Sequence, residues 1–297
     1  MNLERRAGAA VALLTSIAAC AGPPSLDRPA RGVAAILAAS ATTAPVSAAV
    51  SVASSIDAPP PPLLPPALVG GSEVLDLPVE GHLAAVVSVP RGATTPRPIL
   101  VIAHGAGGRP EPHCDFWRAI LGSRGFLVCP RGVRLDTFAE PADQGFFYPD
   151  HHALAREVTA ALAAVHARFG ARVDERAPIY VGFSQGATMG ALAFVTRSAP
   201  FARLVLIEGG VGESDEWTIN GARASHEGGV ERVLFACGRP SCFSAAQRSL
   251  TYLEKAGLEG RVVHAAGAGH TYGGAVADAV LGALPWVFEG DPRWYGG

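Results

Sequence analysis

Lysine is all but missing from this chain: Lys255 is the only one among 297 residues, and arginine carries the rest of the positive charge. That bias reads as base composition of the coding DNA rather than as function. The 24 basic residues are outnumbered by 26 acidic ones, for a formal net charge of −2. With no basic surplus there is no electrostatic case for a nucleic-acid partner. Charged residues are scarce as well, at 17% against 49% hydrophobic, a balance that suits a sizeable buried core. No internal repeat divides the sequence, and its length suits one large domain or two small ones.

The first apolar run, Ala7 to Ala19, is too short to cross a bilayer and follows Arg5 and Arg6, as in a signal peptide. It ends in Ile17-Ala18-Ala19-Cys20, which resembles the bacterial lipobox, an aliphatic residue and two small ones before a cysteine. The resemblance implies removal of residues 1–19 and acylation of Cys20. The exported protein would then be anchored to a membrane of the cell envelope without a transmembrane helix. An ordinary secretory signal with a chance cysteine is the alternative. Ala21 stands where an inner-membrane retention signal has aspartate, which favours the outer membrane. Residues 20–70 consist mainly of Ala, Pro, Ser, Thr and Val, including Pro59-Pro60-Pro61-Pro62. Such a tract builds no core and reads as an extended tether.

Four further cysteines follow: Cys114, Cys129, Cys237 and Cys242. An even number in an exported domain suggests two disulfides, and three connectivities are possible. The most local pairing, Cys114–Cys129 with Cys237–Cys242, is preferred. Zinc is the alternative, but the spacings fit no zinc pattern.

From residue 71 to 290 the chain alternates strands and helices, with a short tail at 291–297. Glu73–Val79 and Leu83–Val89 read as a leading strand pair, and Ile99–Ala103 as a fully apolar strand. Cys114–Arg124 reads as a helix, Phe126–Cys129 as a strand and Asp150–Phe169 as a strongly periodic helix. Ile179–Phe183 is the next strand, followed by a helix from Gln185 to about Arg197. Strands at Leu204–Ile207, Val233–Ala236 and Val262–Ala265 come next, with helices at Ser244–Ala256 and Tyr272–Val287. Apolar strands in repeated strand–helix units predict an α/β fold whose mostly parallel sheet is covered on both faces. Sites in such sheets lie beyond the carboxyl ends of the strands.

Three motifs fall there. Gly182-Phe183-Ser184-Gln185-Gly186 joins a strand to a helix, and its glycines permit the sharp turn that exposes a serine hydroxyl. His104-Gly105-Ala106-Gly107-Gly108 follows the first apolar strand. Its glycines let backbone N–H groups approach a developing oxyanion, so Ala106 or Gly105, together with Gln185, are the expected donors. His104 reads as a loop-shaping residue. After the last strand comes Ala268-Gly269-His270, and His270 has the order and loop position of a general base for Ser184. His264 reads as packed within its strand, and His151 and His152 as helix-cap or pocket-rim residues.

These residues together resemble the α/β-hydrolase superfamily, most of all its carboxylesterase/phospholipase and dienelactone-hydrolase-like branches. The resemblance covers nearly all of 71–290. It implies acyl transfer to Ser184 with His270 as base and then acid, and no metal or organic cofactor. The third triad member departs from the family. The loop Cys237-Gly238-Arg239-Pro240-Ser241-Cys242-Phe243 contains no Asp or Glu. Glu208, directly after Leu204–Ile207, fits an acid moved one strand earlier, with Asp215 second and a Ser–His dyad as the remaining option. Phe147, Tyr148 and Trp217 are candidates for an apolar acyl pocket. With little room for a lid, the expected substrate is a small to medium ester. A serine peptidase of the same fold and an inactive surface-binding lipoprotein are the alternatives.

Overall fold

A computed structural model describes residues 72–136, 139–195, 200–212 and 216–295. The signal segment, Cys20, the tether, Glu213 and Asp215 lie outside these residues. In chain order the elements are β1 (Ser72–Leu77), β2 (Ala85–Pro90), β3 (Arg97–Ala103), α1 (Pro110–Leu121), β4 (Phe126–Cys129), β5 (Val133–Arg134), β6 (Phe146–Phe147) and α2 (His151–Phe169). They continue with β7 (Val173–Phe183), α3 (Gln185–Phe194), β8 (Arg203–Ile207), α4 (Ile219–Glu227), β9 (Arg232–Cys237), α5 (Pro240–Ala256), β10 (Glu259–His264) and α6 (Gly274–Phe288).

Eight strands form one sheet in the order β1-β2-β4-β3-β7-β8-β9-β10. β2 pairs antiparallel with both β1 and β4, and every pairing from β4 to β10 is parallel. The core follows from the two-residue period of a strand. In β3, Ile99, Val101 and Ala103 point to one face, and Leu100 and Ile102 to the other. The first face packs on α2, α3 and α5 through residues such as Val158, Ala187 and Leu253. The second packs on α1 and α6 through Trp117, Leu121, Val280 and Leu284. The sheet is therefore buried on both sides, as its apolar strands require.

Several helix boundaries differ from expectation: α1 ends at Leu121 rather than Arg124, α3 ends at Phe194 rather than near Arg197, and three helices start elsewhere. α1 starts at Pro110 rather than Cys114, and α5 at Pro240 rather than Ser244. Proline is favoured at a first helical position because the N–H it lacks would have no partner there. α6 starts at Gly274 rather than Tyr272. The short α4, capped by Thr218 through the N–H of Gly221, and the β5–β6 hairpin were not anticipated.

The boundary expected at residue 290 is also corrected. Asp291 and Trp294 are buried, the latter stacked on Phe288 at 4.9 Å, so the folded domain continues beyond residue 290 to include Trp294. Cys114 and Cys129 are bonded, joining α1 to β4, and Cys237 is bonded to Cys242 across the β9–α5 junction.

Candidate active site

Ser184 occupies the turn between β7 and α3 with φ 51° and ψ −116°. A non-glycine residue holds this sparsely populated conformation only where the surroundings force it, and such strain clusters at functional sites. The flanking glycines are sterically required. A Cβ on Gly182 would lie 2.6 Å from the backbone of Ala187, and one on Gly186 would lie 2.6 Å from the His104 carbonyl oxygen. Gly186 donates its N–H to that same carbonyl at 3.1 Å, binding the Ser184 turn to the glycine loop after β3.

His270, between β10 and α6, places Nε2 2.8 Å from Ser184 Oγ. Its Nδ1 lies 3.0 Å from Oε2 of Glu208, the first residue after β8. A ring nitrogen facing a carboxylate carries the proton, which leaves the Nε2 lone pair for the serine hydroxyl. The Glu208 side chain has no exposed surface. Burial alone would raise its pKa. The N–H of Gly238, the Arg239 side chain and N–H, and His270 outweigh that effect and hold the carboxyl below the usual glutamate value. Glu208, the first choice for the acid, is thus the carboxylate that meets His270.

The glycine loop approaches the serine closely. A Cβ on Gly105 would sit 3.1 Å from the Ser184 Cβ. Gly107 and Gly108 spend their N–H groups on Phe146 and Gly105 carbonyls, whereas no backbone hydrogen bond among the described residues occupies those of Gly105, Ala106 or Gln185. Gln185 is the first residue of α3, where N–H groups have no partner within the helix.

No family model and no curated protein matches this sequence. Solved structures do. An esterase from Pyrobaculum calidifontis is 15% identical with a TM-score of 0.51, covering 72% of this chain and 83% of its own. S-formylglutathione hydrolase (FrmB) from Staphylococcus aureus is 12% identical with a TM-score of 0.51, covering 76% and 99%. A dienelactone-hydrolase-like promiscuous phosphotriesterase from metagenomic libraries is 19% identical with a TM-score of 0.50, covering 73% and 95%. At these identities the likeness is one of fold. The chain has the α/β-hydrolase fold.

Within that α/β-hydrolase scaffold, His104 is wholly buried, with Nδ1 2.8 Å from the Gly105 carbonyl and Nε2 2.9 Å from that of Arg131. Desolvation lowers its pKa, and its place beneath the glycine loop agrees with a shaping role. His264 stacks on Phe243 at 4.2 Å. At the start of α2 the cap is Asp150, accepting the Ala153 N–H at 2.8 Å, rather than His151 or His152.

Two pocket candidates are corrected. Tyr148 is fully buried and donates its hydroxyl to the Pro130 carbonyl at 3.1 Å. Trp217 is 2% exposed, donates Nε1–H to Gly210 at 2.8 Å and packs edge-on against Phe235. Both rings are core, because each polar tip finds a buried carbonyl acceptor. Phe147 remains half-buried on the hairpin. Leu135 is 56% exposed on the same hairpin, beside Gly107. Sequence reasoning missed Arg239, since an arginine in a loop carries no signal that it pairs with a carboxylate 31 residues earlier. Glu208, Cys237 and Cys242 offer metal-type atoms within 4.8 Å of one another, but the sulfurs are bonded together, so no thiolate is available as a ligand.

Proposed function

We propose that this protein is a serine hydrolase that cleaves small to medium carboxylic esters through an acyl-enzyme on Ser184. The observation behind this reading is the unbroken path from Ser184 Oγ to His270 at 2.8 Å and on to Glu208 at 3.0 Å. A binding scaffold has no need to keep both ring nitrogens engaged in this way.

In this reading Oγ attacks the ester carbonyl carbon as His270 Nε2 takes its proton. Negative charge on the carbonyl oxygen meets the N–H groups of Gln185 and of Ala106 or Gly105, each such donor contributing on the order of 10²–10³ in rate. The intermediate collapses, His270 gives the proton to the departing alcohol, and the acyl group stays on Oγ. Water, deprotonated by His270, then releases the acid and restores the serine. The imidazolium formed in each half is balanced by ionised Glu208. Exposed Leu135 and half-buried Phe147 offer an apolar wall for the acyl or alkyl part of a modest ester.

The test is labelling with a fluorophosphonate, which reports an activated serine. Ser184→Ala should abolish labelling and ester turnover together. A folded wild-type protein that never labels would sink the reading in favour of the binding lipoprotein. Turnover of amide rather than ester substrates would move it to a peptidase.

The lipobox-like Cys20 and the tether complete the proposal, with the domain held at the cell envelope, and an oxidising compartment suits two disulfides. Metabolic incorporation of a fatty acid, lost in Cys20→Ala, is the check.

A further inference from the structure

The loop after β9 has no acid of its own, and in the structure it grips one from the neighbouring strand. The N–H groups of Gly238 and Arg239 both donate to Glu208 Oε1. Arg239 Nε donates to Oε2 at 2.6 Å, the same oxygen that faces His270 Nδ1 at 3.0 Å. Guanidinium and imidazole thus share one carboxylate oxygen. Both gripping residues lie inside the ring closed by Cys237 and Cys242, which are five positions apart and have Cα atoms 5.6 Å apart. The same loop abuts the histidine loop, since a Cβ on Gly238 would lie 3.1 Å from the Gly269 nitrogen.

We propose that Arg239 is a positioning residue for Glu208, and that the Cys237–Cys242 disulfide, by closing the loop that carries Arg239, makes full activity depend on that bond. The inference rests on the serine-hydrolase reading above. The charged and titratable groups facing Glu208 are Arg239 from the start of α5 and His270 from the β10–α6 loop, with the disulfide sulfurs alongside. A carboxylate this buried stays ionised only while opposite charge and N–H donors compensate for lost water. Without the guanidinium, burial gains weight and the carboxyl takes up a proton at higher pH. A protonated Glu208 no longer offsets the positive charge that His270 acquires when it takes the serine proton, so hydrolysis fails on the acid side first. Reduction has the same consequence by another route. Two electrons and two protons from dithiothreitol, which leaves as its cyclic disulfide, turn the bond into two thiols and open the ring around Gly238 and Arg239.

The experiment follows ester hydrolysis and fluorophosphonate labelling by the full-length protein across about pH 3–9. Arg239→Gln should move the acid limb of kcat/KM upward by about one pH unit and lower kcat about tenfold with KM unchanged. Arg239→Lys, which restores the charge without the planar fork, should recover most of the limb's position. Cys237→Ser/Cys242→Ser should shift the limb like Arg239→Gln. So should dithiothreitol acting on Cys114→Ser/Cys129→Ser, in which the other disulfide is already gone. Untreated Cys114→Ser/Cys129→Ser should lose thermal stability and keep the wild-type limb.

An Arg239→Gln profile that overlays wild type overturns the positioning role. An equal shift in untreated Cys114→Ser/Cys129→Ser overturns the link to Cys237–Cys242. Wild-type protein that neither labels nor turns over ester removes the underlying reading, and this inference with it.

Discussion

Gln185 grips the Tyr148 peptide from both sides, donating Nε2–H to its carbonyl at 3.1 Å and accepting its N–H on Oε1 at 3.0 Å. The residue after Ser184 therefore serves twice. Its backbone N–H is free for an oxyanion, while its side chain ties α3 to the segment leaving the β5–β6 hairpin. Gln185→Ala should leave that peptide unpaired and cost about 1–2 kcal/mol. Since the backbone donor remains, KM for an ester should rise while kcat changes little. Thermal melts and steady-state kinetics on one preparation check both halves.

Glu208→Gln should be far more damaging to rate. Both carboxylate oxygens accept hydrogen bonds, from two backbone N–H groups on one side and from Arg239 and His270 on the other. An amide replaces one acceptor with a donor, so some N–H must face another N–H. A fall in kcat on the order of 10⁴-fold is expected, as when the acid of a serine-protease triad becomes its amide. A fall of less than about tenfold would move the acid elsewhere, with Asp215→Asn the next variant to measure.

Two glycine substitutions should separate chemistry from folding. Gly105→Ala places a methyl 3.1 Å from the Ser184 Cβ and from the Phe183 ring, atoms that border the reacting centre. It should depress kcat with a small change in melting temperature. Gly186→Ala drives a methyl against the carbonyl oxygens of Ala103 and His104, at 2.5 and 2.6 Å, which belong to fixed backbone. Its main effect should be a loss of about 1–3 kcal/mol in urea unfolding.

Acid stability should depend on a cluster distant from the serine. Asp174 lies 2.6 Å from Arg176 and 3.2 Å from Arg293, and Arg293 also pairs with Asp291. Hydrogen bonding from Arg176, the leading cause, outweighs burial and lowers the Asp174 pKa from 3.8 to about 2. A depressed folded-state pKa stabilises fully above the unfolded value and is lost as pH falls through the folded one. Asp174→Asn should therefore be less stable near neutral pH, and its stability should fall less steeply between 3.8 and about 2. Urea midpoints at several pH values would show it, and parallel curves would refute it.

The sequence made the parallel sheet legible because fully apolar strands need cover on both faces. It made Ser184 and His270 legible because each lies in a short motif at the end of a strand. Glu208 was within reach by chain order alone. The clamp on it was not, because Arg239 and Glu208 meet only through tertiary pairing. Tyr148 and Trp217 misled for a related reason: an aromatic near a site motif looks the same in sequence whether it faces substrate or core. Burial with a carbonyl acceptor for each ring decided for the core. At β7 only the apolar half, Ile179–Phe183, was visible, since Ala177, at φ 45°, and Pro178 interrupt the pattern while the strand itself runs from Val173.

Ser184 and Glu208 each follow directly on a residue of one ladder pair, Phe183 and Ile207. Both then turn into positive φ, at 51° and 55°. The Ser184 N–H still reaches the Ile207 carbonyl at 2.8 Å, and the Glu208 N–H that of Ala236 at 2.9 Å. The sheet thus acts as a ruler, setting the gap between Ser184 and Glu208 by counting residues along two neighbouring strands. Side chains within β7 and β8 can vary as far as packing permits without the chemistry registering the change. Inserting or deleting one residue in either strand would turn its terminal side chain to the opposite face and part the pair.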